Sequence, residues 1–408
     1  MLDVMLNIIS PILTFIILIL VGFLSLRLST KIKLPYPLIL LCFGYLFTFI
    51  SSGNLPIMFS LSPKIIFYIS LFTLMMLLFD VSESFKMKKL DTLSHSAIKI
   101  GLMTLLFALI ITPFIFIYLL DIAFELEVWI ILFILIFFLC EIYPEDIFHH
   151  AKRPVSKIVN LVEHEYQYLP VIFLSIPFLL LGIADLISSQ RTIQILFSLA
   201  IDIITSVGVG VLVGIMSIRY MKRLKSDKTI PVALFALSIL SFILTELLGG
   251  NGLFSIIVFG LFFGNVYIKH TQLEEFSPTL SNILEMMIYL HMGMLIGFYS
   301  DKIIIIASVV VYFFYLFYRY ISITIFQKRM NIKTKEKLYF TLMSPKGSIT
   351  VATLLLLYVL FNHMTVIPSV SLSSINQLSG VLFFIVILSI IISWVTHINS
   401  SYFLGKHD

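Results

Sequence analysis

The sequence predicts an all-α integral membrane protein with about 13 transmembrane helices, and three observations lead there. Hydrophobic residues make up 60% of the 408 and charged residues only 12%, against about 25% charged in soluble domains. Mean hydropathy is +1.08. Apolar runs recur along the whole chain at the length that a hydrocarbon core of roughly 30 Å demands, about 20 residues each. They are continuously apolar and do not alternate, which marks helices and not barrel strands. The third observation is that Lys and Arg fall almost entirely in every second loop.

Taken in order, the runs place spans at approximately 5–26, 34–52, 64–81, 96–120, 126–148, 157–182, 192–218, 229–248, 252–268, 277–299, 303–326, 337–362 and 378–398. Before the first stands only Asp3, with neither a basic n-region nor a small-residue cleavage site, so that helix is expected to be retained. The second opens on Leu34-Pro35-Tyr36-Pro37. The fifth ends Cys140-Glu141-Ile142-Tyr143-Pro144-Glu145-Asp146, where Pro144 removes a backbone donor and should kink or break the helix. In the sixth, Glu163, His164, Glu165, Tyr168 and Pro170 form a second polar stretch, which reads as proline-broken. The ninth is short. The eleventh carries Arg319, and the twelfth holds Ser344-Pro345-Lys346-Gly347-Ser348, a helix breaker, a cation and a flexible residue together. Cys42 and Cys140 both lie in apolar runs, offer no disulfide framework, and are expected to pack in the core.

Loops after odd-numbered spans contain Arg27, Lys31 and Lys33, then Lys86, Lys88 and Lys89, then Lys152 and Arg153, Arg219 to Lys228, and Lys328 to Lys335. Loops after even-numbered spans contain only Lys64, Arg191 and Lys302. Short basic loops stay in the cytoplasm, which predicts an outside N-terminus, a cytoplasmic C-terminus and a multi-pass protein of the plasma membrane. It also explains the net charge of +5 as a topology signal, with no nucleic-acid partner. An odd span count allows two inverted six-helix repeats, about 1–185 and 229–400, joined by a linker helix at about 192–218 within one domain of 408 residues. Such repeats commonly place a substrate site at the midplane, among broken helices.

Charged groups within spans are costly unless paired or wet, so each is a candidate functional residue. The ion- or proton-binding candidates are Glu141, Tyr143, Glu145, Asp146, Glu163, Glu165 and Tyr168. Arg319 and Lys346 are charge-compensating, and Pro144, Pro345 and Gly347 are structural. Simpler readings stand beside these. Asp146, His149 and His150 fit the wet end of the fifth span, Glu246 an interfacial position, and Asp202 and Glu285 helix–helix hydrogen bonding. His164, His291 and His363 read as packing or interface groups. Arg319 needs a carboxylate partner or water, and an acid of the sixth span is the natural one. Gly-rich phosphate loops, His-Glu-x-x-His and Gly-x-Ser-x-Gly are all missing, so no enzyme class is indicated.

Leu34-Pro35-Tyr36-Pro37 with Gly44, Gly249-Gly250-Asn251-Gly252 with Gly260 and Gly264-Asn265, Arg319, and Glu336 to Phe340 followed by Ser344-Pro345-Lys346-Gly347 occur in a telling order. Together they resemble the monovalent cation:proton antiporter superfamily, specifically the NhaP-like branch of sodium/proton exchangers, over nearly the whole chain. The last motif is similar to that family's Gly-Pro-Arg-Gly, with Ser for Gly and Lys for Arg. The resemblance implies the sodium/proton antiporter fold, with two inverted repeats, crossed broken helices at the fifth and twelfth spans, and an ion site on the sixth. It also implies a homodimer that exchanges Na⁺, K⁺ or Li⁺ for protons and needs no cofactor. This sequence departs from the family at the site. The Thr-Asp of the fifth helix falls on Ile142-Tyr143, and the Asn-Asp of the sixth falls on Leu169-Pro170 or Tyr168-Leu169. Antiport needs a desolvated acid that holds either a cation or a proton, and the family's aspartate is absent. A displaced carboxylate is therefore expected, with Glu165 one turn before Leu169 and Glu141, Glu145 and Asp146 beside the fifth-helix position. The alternatives are a transport-silent homologue acting as a partner subunit, or a carrier of another solute.

Overall fold

The computed structural model describes residues 2–52, 62–122, 126–142, 156–187, 192–221, 230–266, 273–296, 301–326, 332–363 and 372–404. Among these residues the regular structure is helical: α1 Leu2–Ile32, α2 Tyr36–Ser52, α3 Pro63–Ser84, α4 Thr92–Leu120, α5 Leu126–Cys140, α6 Lys157–Ile187, α7 Thr192–Met221, α8 Ile230–Leu247, α9 Gly252–Val266, α10 Leu273–Ile296, α11 Lys302–Phe326, α12 Thr334–Leu342, α13 Ser348–His363, α14 Leu372–Ile398 and α15 Ser400–Leu404. With α12 and α13 taken as one interrupted span, α1 to α14 correspond in order to the spans read from the sequence. Among the described residues, six helical stretches of 19 to 29 residues are long and apolar enough to cross a bilayer alone. The shorter apolar helices α2, α5, α8, α9 and α13 stand among them.

Chain chemistry accounts for the boundaries. Pro63 opens α3 at a position where its missing N–H costs nothing. Asp91 caps α4 by accepting from the Ser94 N–H and hydroxyl, both at 2.7 Å. These bonds hold the Asp91 carboxyl below the usual carboxylate range, the backbone bond contributing most. Glu246 ends α8 with its Oε1 accepting the Gly252 N–H at 2.8 Å, so this interfacial acid caps α9.

The twelfth span breaks where expected. Between α12 and α13, residues 343–347 leave the helical path, and α14 supplies the hydrogen bonds they forgo. The Ser344 N–H donates to Ser393 Oγ at 3.1 Å and the Lys346 N–H to Ser389 Oγ at 2.9 Å. The Ser393 hydroxyl donates in turn to Leu342 O. Irregular backbone at membrane depth survives only with such partners.

Two expectations need correction. The sixth span is not broken: α6 runs through both Pro170 and Pro177, because one lost bond is tolerable when neighbouring helices crowd the position. Cys42 is exposed, whereas Cys140 is buried as expected. A mid-span thiol can face outward when the outer surface is itself apolar.

Two sets of helices pack mainly among themselves. In one, α1 lies on α2 and α10, α2 on α10, α3 on α8, α9 and α10, and α8 on α9. In the other, α4 meets α5, α6 and α11, and α11 meets α12 and α14; α13 lies between the two sets, on α3 and α10 as well as on α14. Glycines set the tightest approaches. A Cβ on Gly44 of α2 would stand 2.9 Å from Gly293 Cα on α10, and one on Gly264 of α9 would stand 2.9 Å from Glu83 Cα on α3.

Candidate functional site at the helix interruption

Arg319 projects from α11 into the interior at 1% exposure and finds Glu165 of α6. Its Nη1 donates to Oε1 at 2.7 Å and its Nη2 to Oε2 at 2.5 Å. A third donor, Nε, reaches Phe340 O at 3.2 Å near the end of α12, and the guanidinium lies 4.4 Å from the Phe340 ring centroid. This two-pronged geometry is what makes a fully buried ion pair tolerable. It also places a positive charge at the carbonyl end of α12, where the helix dipole favours one. The acid partner anticipated on the sixth span is thus Glu165.

The interruption itself meets the end of α5. Glu141 follows Cys140 directly, its N–H still donating to Phe137 O at 3.0 Å, and it is wholly buried. Its Oε2 accepts from the Thr350 hydroxyl in the first turn of α13. Lys346, at 1% exposure, donates from Nζ to Glu141 O at 2.8 Å, with its ammonium 4.0 Å from the centroid of Tyr315. Each helix end therefore receives the charge its dipole prefers, the cation at the carbonyl end of α5 and the carboxylate at the amino end of α13.

Glu285 is the third buried acid here. Its Oε2 accepts from the Tyr36 hydroxyl of α2 at 2.7 Å and its Oε1 from the Ser348 hydroxyl at the start of α13 at 3.1 Å. One turn earlier on α10, Ser281 Oγ stands 3.3 Å from Asp80 Oδ2 of α3. The helix–helix role read for Glu285 is realised, and its acceptor position links three helices.

The other candidates disperse. Glu163 is half-buried and lies near Tyr166 and Tyr339. Tyr168 turns toward the end of α3, edge-on to Phe85 at 5.2 Å and stacked on His164 at 5.9 Å. His164 Nδ1 lies 3.2 Å from Ser94 Oγ, and His291 Nδ1 lies 2.7 Å from Met287 O. Pro345 and Gly347 are buried within the interruption. Tyr143, Pro144, Glu145 and Asp146 lie outside the described residues. Leu169, where the family aspartate or its neighbour is expected, is 1% exposed and packs so close to Gly101 of α4 that a Cβ there would lie 2.8 Å from Leu169 Cδ2. Sequence reasoning missed Thr350 and Tyr315, because a threonine or tyrosine within an apolar run carries no signal of its own.

The profile of the transmembrane sodium/hydrogen exchanger family matches residues 15–397. The chain belongs to that family. Its fold is similar to that of the sodium proton antiporter MjNhaP1 from Methanocaldococcus jannaschii. The structure of that protein at pH 8 matches with TM-score 0.76 and 18% identity, over 98% of this chain and 100% of the other. An electron-microscopy map of it gives TM-score 0.72 and 17% identity, over 99% of each chain. At such identity the likeness speaks for the fold, and the family match speaks for cation:proton antiport. No curated protein sequence matches the chain. The resemblance in the sequence motifs is therefore upheld.

Proposed function

We propose that the chain exchanges a monovalent cation, Na⁺ foremost, for protons, and that Glu141 is the carboxylate holding each in turn. The observation carrying this reading is the buried Glu141 carboxylate at the amino end of α13, accepting from Thr350, while the Lys346 ammonium holds the Glu141 main-chain carbonyl. An acid so placed is desolvated, faces a helix end, and has oxygen ligands nearby, which are the requirements for alternate cation and proton binding. Glu165 has both oxygens committed to Arg319, so it serves as the fixed counter-charge of the crossing. Tyr143, Glu145 and Asp146 lie within five residues after Glu141 in the chain and are candidates for further ligands. The cation is a substrate, and carboxylate exchange calls for no resident cofactor.

The basic-loop pattern supports an N-terminus outside and a C-terminus in the cytoplasm of the plasma membrane. Helix packing supports inverted repeats of α1–α6 and α8–α14 about the linker α7. Exchanging the halves carries the α2–α10 contact onto α9–α3, α4–α6 onto α11–α14, and α1–α10 onto α8–α3, and all of these contacts occur. Homodimerisation is proposed from family membership.

Proteoliposomes holding purified protein and a pH-sensitive dye test the assignment. Pulses of Na⁺, K⁺ and Li⁺ are expected to drive proton flux in the wild type and none in Glu141→Gln. Full flux in that variant moves the site elsewhere. Silence of folded wild type with every ion supports instead a partner subunit or a carrier of another solute.

A further inference from the structure

On the outer side of the interruption, α12, α14 and α15 enclose a groove of about 430 Å³. Leu342 of α12, Ile391 and Val395 of α14 and Phe403 of α15 give it apolar walls, and Asn399 and Tyr402 complete its lining. Ile391, Val395 and Tyr402 are exposed, so the groove opens where a spanning protein meets lipid. From Ile391 to Asn399 α14 advances about 12 Å, less than half of a hydrocarbon core of roughly 30 Å. A cation stands at one end. The Lys335 ammonium lies 4.2 Å from the centroid of the Tyr402 ring. Leu338 and then Leu342 follow Lys335 along the same face of α12, so the surface passes from charge into apolar depth. Lys333 and Lys335 are exposed, and Lys335 pairs with no carboxylate among the described residues. Glu336 turns back to accept the Lys333 N–H at 2.8 Å, and residues 372–404 contain no Asp or Glu.

We propose that this groove seats one anionic phospholipid, with an acyl chain between α12 and α14 and the phosphate on Lys335. An apolar groove open to the bilayer is filled by hydrocarbon, and the cation at its end selects the headgroup. Lysine suits that position, because its stem covers apolar surface while its ammonium reaches the headgroup level. Tyr402, apolar in its ring and polar at its tip, belongs at the same level. The Lys333–Lys337 stretch lies in one of the basic loops that mark the cytoplasmic face, where anionic lipids gather. The seat also touches the interruption. Leu342 lines the groove, and its carbonyl accepts from Ser393, whose oxygen takes the Ser344 N–H at 3.1 Å. A seated chain therefore braces α12 and α14, the two helices that hold the interrupted backbone. The site does not depend on which carboxylate exchanges.

The test titrates the purified full-length protein, in a neutral detergent, with phosphatidylglycerol, phosphatidylcholine or glycerol phosphate and follows the melting temperature. Wild type is expected to reach half-maximal stabilisation at about fivefold less phosphatidylglycerol than phosphatidylcholine, the discrimination that one juxtamembrane lysine supplies. Glycerol phosphate, which has no chain, is expected to give no stabilisation. Lys335→Gln should erase the difference between the two lipids. Val395→Trp, which fills the groove from an exposed position, should raise both midpoints. Lys302→Gln, at the far start of α11, removes a cation elsewhere and should leave the preference intact. Should Val395→Trp not fold, Val395→Phe takes its place. Equal midpoints in the wild type, a preference that survives Lys335→Gln or is lost in Lys302→Gln, or full stabilisation by glycerol phosphate overturns the proposal. Midpoints unmoved in Val395→Trp overturn it too, and a dimer lost in that variant then assigns the groove to a second copy of the chain.

Discussion

Arg319 and Glu165 show what one buried charge demands of its surroundings. A guanidinium at 1% exposure, on a helix otherwise rich in Ile, Phe and Tyr, stays only because a carboxylate meets two of its donors and the Phe340 carbonyl meets a third. Breaking such a pair from one side leaves the other charge uncompensated, which costs about 3–5 kcal/mol. Glu165→Gln and Arg319→Met should each lower the melting temperature in detergent strongly. The double variant should lose clearly less than the sum of the two. Simple additivity would mean that the pair contributes nothing as a pair. The need for a partner was legible in the sequence, since a mid-span arginine cannot stand alone. That Glu165 and not Glu163 answers it depends on which face of α6 turns toward α11.

Among the elements, close helix approach is controlled by a few glycines. Gly44 lets α2 reach α10 at Gly293, and Gly264 lets α9 reach α3 at Glu83. A side chain at either has to displace backbone, so Gly44→Leu and Gly264→Leu are each expected to cost about 1–3 kcal/mol, read as a loss of thermal stability. Gly208 on α7 faces open space, and Gly208→Leu should change little under the same measurement. Equal losses at all three positions would show that backbone approach is not the cause. Helix punctuation was less simply legible. Pro345 marks a real interruption, because Ser393 and Ser389 of α14 stand ready to accept from the flanking Ser344 and Lys346 N–H groups. Pro170 marks none. The residue is the same in both, and the neighbours differ.

For the whole molecule, Glu285 of α10 ties α2 to the start of α13, accepting from Tyr36 of the one and Ser348 of the other. Glu285→Ala leaves both hydroxyls buried without that acceptor, at a cost of about 1–3 kcal/mol. Faster amide hydrogen exchange in the first turn of α13 is the expected result, with the far end of that helix unchanged. Protection that stays the same throughout α13 would mean that Glu285 does not hold the helix start. The packing correspondence between α1–α6 and α8–α14 belongs to this scale too. It lies in which helices touch, and the two halves share no recognisable sequence identity to announce it.

Sequence alone carries the helical, multi-pass character of this chain with its about thirteen spans, the interruption at Pro345 and its place among the cation:proton antiporters. Each of those follows from local chemistry: run length against bilayer thickness, loop charge, a helix breaker and an ordered set of motifs. Only the tertiary structure decided how the buried charges combine. It paired Glu165 with Arg319, set Lys346 and Thr350 upon Glu141, and filled the Leu169 position against Gly101. Those relations join residues up to 209 positions apart. They depend on helix rotation and crossing, which hydropathy and spacing do not encode.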